Sequence, residues 1–182
     1  TMDHPVCDFA HHMTKVALGN TGIFLSDGAT NIMPIGPHRG DHLTYEQLRE
    51  NRESVYNAWQ QGFNHTTHSL INGFYQGWDL NPAQLPMRYA ATYHFFLSSY
   101  EDAVFRLKTF VNRAAISTLT GDIFDDAATG QGLLNFFLKA INCGAINEKE
   151  VLATGLTLEE IRSRSFYRIL QDRKALSEPG SI

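Results

Sequence analysis

Lysine, arginine and cysteine are scarce in this sequence, and each scarcity excludes a class of function. Fifteen Lys and Arg residues against nineteen Asp and Glu give a net charge of −4, and no basic run forms a local patch. Nucleic acid and acidic membrane surfaces are therefore not expected partners. Two cysteines without metal-ligand spacing exclude a disulfide framework, and they favour the cytoplasm as the location.

Long apolar runs are missing as well. No stretch reaches the roughly 18 apolar residues of a membrane span, and no basic-then-apolar signal pattern opens the chain. The sequence starts TMDHPV with a helical pattern almost at once, which predicts a chain that begins within a longer protein. What is present is a composition with 43% hydrophobic residues, typical of a globular domain with a substantial core.

Helix and strand patterns alternate along the first part of the chain. The predicted elements are, in order, helix Pro5–Leu18, strand Thr21–Ser26, a helix from Thr44 to about Leu70, strand Gly73–Leu80 and a helix from Leu85 to about Asn112. Thr44 and Gln47 form a capping box at the start of the second helix. The order strand, helix, strand, helix predicts a βαβ unit with parallel strands.

The pattern changes after Arg113, where only helices are predicted. One helix is expected from Gly130 to Asn142, and two later capping boxes open short helices; they are Asn147 with Glu150, and Thr157 with Glu160. We therefore divide the sequence into βα units at 1–113, a helical appendage at 114–172 and a flexible tail at 173–182.

Two stretches resemble known families. GFYQGWDLNPAQL, residues 73–85, resembles the last barrel strand of the citrate lyase β-subunit-like and malate synthase families. FDDAATGQG, residues 124–132, resembles the catalytic segment of malate synthases. The whole chain is similar to the C-terminal portion of aldolase/citrate lyase-like proteins with a phosphoenolpyruvate-binding TIM barrel. The resemblance implies an α/β fold, in which Thr21–Ser26 and Phe74–Leu80 are the last two strands of a (β/α)8 barrel and a helical appendage follows.

The resemblance also implies a chemistry. It points to a Mg²⁺-dependent carbon–carbon lyase or synthase that acts on a small 2-oxo acid, with acyl-CoA as a possible second substrate. The Mg²⁺ ligands are expected upstream of this chain, so no metal ligand is assigned within it. The aromatic stripe of Tyr89, Tyr93, Phe96 and Tyr100 is predicted to pack either beneath the outer helix layer of the barrel or against another subunit, and we expect a homo-oligomer.

The implied catalytic residue is Asp126, the acid that precedes Ala-Ala-Thr. A carboxylate held near a helix start can remove a proton from a carbon next to a carbonyl group. The alternative is that Asp126, like Asp125 beside it, only caps the following helix, because Asp before a helix is a common N-cap.

The first stretch supplies three substrate-binding candidates, Trp78, Asn81 and Gln84. Trp78 could instead fill the core. Asn81 departs from the histidine that is usual in the related families, and an amide does not titrate near neutral pH. SDGATN, residues 26–31, follows a predicted strand end and is either a turn or a substrate contact.

The histidines are predicted to lie on the surface or in packing positions, because no third ligand accompanies His11-His12, HRGDH or HTTH at metal spacing. A non-catalytic interaction module of the same fold is the alternative function.

Overall fold

The computed structural model describes residues 1–19, 21–120 and 127–177. These residues form eight α-helices and two 3₁₀ turns. The helices are α1 Pro5–Leu18, α2 Tyr45–Ile71, α3 Leu85–Ser98, α4 Tyr100–Thr120, α5 Ala127–Asn142, α6 Glu148–Val151, α7 Leu158–Arg162 and α8 Phe166–Ser177, and the 3₁₀ turns are Pro82–Gln84 and Leu152–Thr154. The chain divides into two compact units, unit 1 (Thr1–Phe95) and unit 2 (Phe96–Ile182).

Local capping fixes where the first helices begin. Pro5 opens α1, and the side chain of His4 accepts a hydrogen bond from the Val6 N–H. At α2 the Thr44 hydroxyl accepts from the Gln47 N–H at 3.2 Å, and Gln47 Oε1 accepts from the Thr44 N–H at 2.9 Å. Both helix starts and the capping box at Thr44 confirm the sequence predictions.

The predicted α/β fold is wrong. Within the described residues the structure is helical and contains no sheet, so neither Thr21–Ser26 nor Gly73–Leu80 is a strand of a TIM barrel. The Ser26 hydroxyl at the end of the first segment donates to the Gln76 carbonyl at 3.2 Å, and one isolated parallel bridge, Ala29 with Trp78, joins the loop after that segment to the second one. A strand needs a ladder of hydrogen bonds to neighbours, and two short strands alone are marginally stable. Local β propensity therefore yields an extended pair of segments without a sheet.

The long helix predicted from Leu85 to Asn112 is divided at Ser99 into α3 and α4. The carbonyl of Ser99 accepts the first helical hydrogen bond of α4, from the Ala103 N–H at 3.0 Å. The apolar stripe of the sequence continues through this break, so periodicity alone did not reveal it.

Unit 2 packs helices around an aromatic core. Phe96, Phe137 and Phe166 are fully buried, and Phe96 meets Phe136 with ring centroids 5.1 Å apart. Other large, fully buried apolar side chains of this unit are Leu107, Leu134, Val151, Leu156, Ile161 and Ile169. The predicted capping boxes at Asn147 and Thr157 open α6 and α7 and are confirmed.

Candidate functional site

A buried carboxylate lies at the centre of a polar cluster in unit 1. Asp27 is only 4% exposed and belongs to the loop Ser26–Asn31, which we call the Asp27 loop. Its Oδ1 accepts from the Gly28 N–H at 2.7 Å, and its Oδ2 accepts from the Ser69 hydroxyl of α2. The Asp27 N–H in turn donates to the carbonyl of Gln76 at 2.8 Å. Hydrogen bonds to the carboxylate offset the cost of burying its charge.

Two histidines border the Asp27 loop. Nε2 of His11, on α1, is 3.5 Å from Asp27 Oδ1, and the imidazole ring is partly exposed. His65, on α2, is buried, and its Nδ1 is 3.0 Å from the hydroxyl of Thr30. Burial lowers the pKa of His65 below its ordinary value of 6.5, although the carboxylate of Asp3 acts in the opposite direction. His65 is therefore held neutral at pH 7, whereas His11 has access to solvent.

Gln84, one of the predicted substrate residues, ties the Asp27 loop to the turn at Pro82. It is fully buried, and its Oε1 accepts from the N–H groups of Leu80 at 2.7 Å and Asn81 at 3.1 Å. Its Nε2 donates to the Thr30 carbonyl at 2.8 Å. All these contacts are to backbone groups, so Gln84 positions the loop.

Asn81 caps the same turn. Its side-chain oxygen accepts from the Ala83 N–H at 2.9 Å, and with Gln84 it completes a capping box at the start of the turn. The Asn81 amide stands where the families that the sequence resembles usually have histidine. Its side-chain oxygen is hydrogen bonded to the backbone.

Trp78 presents an open aromatic face beside the Asp27 loop. The residue is 63% exposed, so it does not fill the core of unit 1. Its indole N–H donates to the Ser26 hydroxyl at 3.0 Å, which fixes one edge of the ring and leaves the faces available.

Residues of α2 and α3 line an apolar groove. It has a volume of about 510 Å³, and its lining includes Tyr56, Trp59, Phe63 and Met87 from α2 and α3. The Trp59 indole N–H donates to the Ala83 carbonyl at 2.8 Å. The wall of the groove is thus hydrogen bonded to the turn that Gln84 holds.

Asp126 lies outside the described residues, as do Asp122 and Asp125, so the structure gives no position for the predicted base. The end of the motif is described, because α5 begins at Ala127, three residues before the predicted start at Gly130. The Gln131 side chain accepts from the Phe166 N–H at 2.9 Å and donates to the Arg164 carbonyl at 3.1 Å. Motif residues after Asp126 thus hold the turn between α7 and α8.

Sequence reasoning missed the polar cluster. Asp27 was considered only as part of a turn or substrate contact, and His11 and His65 only as surface or packing residues. The available signal was on α2, where His65, Thr66 and Ser69 occupy one helical face at positions that the structure buries. Polar residues on a buried face need partners from elsewhere, which indicates a buried network.

Within this cluster, the Asp27–His11 pair is suited to proton transfer. An imidazole beside a carboxylate can donate or accept a proton, and His11 connects the pair to solvent. Ser69 donates to Asp27, so its hydroxyl is oriented by the carboxylate and is not activated by a histidine in the manner of a hydrolase triad.

The residues described here do not fit the Mg²⁺ ion that the resemblance implies. Across 1–19, 21–120 and 127–177, no three His, Cys, Asp or Glu side chains converge as metal ligands do.

Comparison with known proteins places the chain in a family. A family model for a domain of unknown function, DUF6986, matches residues 1–169. The chain matches no curated protein and no solved structure. Among the helices in the described part of the chain, none has the length and hydropathy that a membrane crossing needs. Because the family model matches most of the sequence, the chain belongs to the DUF6986 family.

Proposed function

We propose that this protein takes part in carbon–carbon bond cleavage or formation next to the carbonyl group of a small 2-oxo acid, through an enolate. The observation that carries the proposal is the convergence of Trp78 and Gln84 on the Asp27 loop. Both residues come from the stretch that resembles lyases and synthases, and both contact the loop that holds a buried carboxylate. The exposed face of Trp78 is a surface on which a planar 2-oxo acid can stack.

The difficult step of this chemistry is removal of a proton from a weakly acidic carbon. It needs a base within hydrogen-bond reach and donors that stabilise the enolate oxygen. In the proposal Asp126 is the base, on the strength of the FDDAATGQG resemblance. His11, oriented by Asp27, is a second group that can exchange a proton with bound substrate.

An acyl-thioester is the proposed second substrate. The groove that contains Trp59 and Phe63 supports this part of the proposal, because its walls are mainly apolar and its volume of about 510 Å³ suits an acyl chain. Mg²⁺ remains part of the proposal as an ion held by residues upstream of this chain, and the cytoplasm is the proposed location.

Exchange of substrate protons with solvent tests the proposal without knowledge of the second substrate. The protein, together with the upstream residues that are expected to hold Mg²⁺, would be incubated with pyruvate and Mg²⁺ in heavy water, and the methyl proton signal would be followed by NMR. We expect exchange above the rate of a buffer control. Asp126→Asn should lower it by about 100-fold or more, the range of general-base catalysis.

This substitution separates the two hypotheses for Asp126, because Asn caps a helix as well as Asp but cannot act as the base. Asp102→Asn, on the exposed first turn of α4, is the matched control and should leave exchange unchanged. Wild-type exchange in Asp126→Asn would remove that residue from the mechanism. No exchange with Mg²⁺ by the unmodified protein that includes those upstream residues would contradict the proposed function.

A binding role without catalysis is the second candidate. It is favoured by the large apolar side chains that unit 1 exposes, among them Phe9, Phe24 and Trp78. A contiguous apolar surface on a folded protein marks a site of association. Under this alternative the chain associates but does not exchange substrate protons.

A further inference from the structure

Helix α1 has its apolar side turned to solvent. Val6, Phe9, Met13 and Val16 are 68%, 68%, 53% and 80% exposed, and no residue of α1 is buried. An amphipathic helix on a globular domain ordinarily buries such a stripe. The apolar stripe of α1 is therefore suited to a contact that unit 1 does not make.

Polar contacts hold α1 in this orientation. On its inner side Asp8 Oδ1 is 2.8 Å from His68 Nε2, and His11 faces Asp27 at 3.5 Å. Lys15 Nζ donates to the Asn72 carbonyl at 2.9 Å. Rotating the helix to bury its apolar stripe would break all of these contacts. The stripe is accordingly fixed outward.

The spacing of the stripe fits another helix. Its four residues follow one another by three, four and three positions, which is the a, d, a, d spacing of a helix–helix seam. The same spacing is symmetric about its midpoint, so reversing the helix direction superimposes the stripe on itself.

We propose that α1 is a dimerisation helix that pairs antiparallel with α1 of a second copy of this chain. In this arrangement Val6 lies opposite Val16 of the partner subunit, and Phe9 lies opposite Met13 of the partner subunit. A two-fold interface requires such a self-complementary surface, because each contact occurs twice.

Charge and shape also favour a second copy. The stripe itself carries no Asp, Glu, Lys or Arg, because the charged Asp8 and Lys15 face inward, so two copies meet without like-charge repulsion. Ala10 and Ala17 flank the stripe and allow the helices to approach closely. In an antiparallel pair the two helix dipoles also point in opposite directions, which is electrostatically favourable.

The size of the stripe sets the expected affinity. The four side chains of the stripe are each at least half exposed, and together they offer on the order of 400 Å² of accessible surface for burial. A stable interface buries about 800 Å² per partner. The helix flanks supply part of the remainder. We therefore expect a dimer that dissociates in the micromolar range and not an obligate one.

Sedimentation of the full chain from low-micromolar to near-millimolar concentration tests the proposal. We expect a monomer–dimer equilibrium that Phe9→Glu weakens at least tenfold, since a carboxylate would be buried opposite Met13 of the partner subunit. Tyr45→Glu is the matched control, because Tyr45 is 84% exposed on α2 and lies off the stripe. Circular dichroism verifies that both variants fold. Val16→Lys is a second substitution within the stripe and should also weaken the dimer.

Disulfide cross-linking tests the antiparallel direction. Cys7 and Cys143 are replaced by serine, and Phe9→Cys protein is mixed with Met13→Cys protein under mild oxidation. The proposal predicts that the mixed dimer predominates. Predominant cross-linking of Phe9→Cys with itself would overturn the antiparallel arrangement. A monomer at all concentrations, or a dimer that Phe9→Glu leaves intact, would overturn the proposal.

Discussion

Unit 2 buries many of its large apolar side chains and exposes few, Phe105 and Tyr167 among them, whereas unit 1 leaves many of its own exposed. Most of the buried apolar residues in the described part of the chain belong to unit 2, including three fully buried phenylalanines. Of the buried polar side chains among the described residues, unit 1 holds all but one, and its exposed residues include Phe9, Phe24 and Trp78. One unit is thus stabilised by an apolar core, and the other by a hydrogen-bonded cluster around Asp27.

The difference separates a stabilising part from a part suited to recognition. Burial of apolar surface contributes most of the free energy of folding, so unit 2 has the larger internal source of stability. Unit 1 contains the Asp27–His11 pair, the apolar groove at Trp59 and the outward stripe of α1. Proteins commonly place binding residues where local stability is low, and unit 1 fits that pattern.

The largest expected effect comes from opening the core of unit 2. Phe166→Ala removes a fully buried ring and should cost about 3–5 kcal/mol of unfolding free energy. Far-UV circular dichroism in urea measures the loss, because both units are helical. Phe24→Ala is the control and should change stability by less than about 0.5 kcal/mol, because Phe24 is 94% exposed. Equal effects of the two substitutions would contradict the contrast between the units.

Two glycines of α5 provide a sharper comparison within unit 2. A Cβ added at Gly130 would clash with the Phe166 ring, whereas at Gly132 it would meet nothing within 4 Å. Gly130→Ala should therefore destabilise the protein by about 1–3 kcal/mol through overpacking. Gly132→Ala should stabilise it by about 0.5–1 kcal/mol, because alanine is the better helix former. Chemical denaturation of both variants measures the opposite signs; a shared sign would refute this account of Gly130.

The smallest effect is a pH dependence confined to unit 1. Because burial lowers the pKa of His65 in the folded state, its neutral form contributes stability that is fully present above pH 6.5. That contribution is lost as the pH falls from 6.5 through the lower folded pKa. His65→Asn keeps a polar atom near Thr30 but does not titrate, so it should flatten the decline between pH 7 and pH 5. Tryptophan fluorescence measures the unfolding free energy at each pH. An unchanged slope of that free energy against pH would show that His65 does not contribute to the decline.

The helices could be predicted from sequence because their signals are local. Pro5 and the Thr44–Gln47 box each lie within one turn of the helix end that they define, so no distant contact was needed. The strands could not be predicted in this way, because a β-prone run becomes a strand only when neighbouring strands accept its hydrogen bonds. Thr21–Ser26 and Gly73–Leu80 show that limit.

Only those residues of the candidate site that belong to a recognisable motif could be predicted from the sequence. The resemblance indicated Trp78 and Gln84, which lie beside the Asp27 loop, whereas the base assigned to Asp126 stays a prediction. His11, His65 and Ser69 reach that loop from helices far away in sequence. Their partners depend on tertiary packing, which the spacing of single residues does not encode.

The most direct test of the contrast between the units is a urea titration of the unmodified full chain, followed by tryptophan fluorescence and far-UV circular dichroism on the same samples. Both tryptophans, Trp59 and Trp78, lie in unit 1, so fluorescence reports that unit alone. Circular dichroism reports the helices of both units. The account predicts that the fluorescence transition is complete at lower urea, while helical signal from unit 2 persists. A single coincident transition by both probes would contradict it, because the units would then unfold as one.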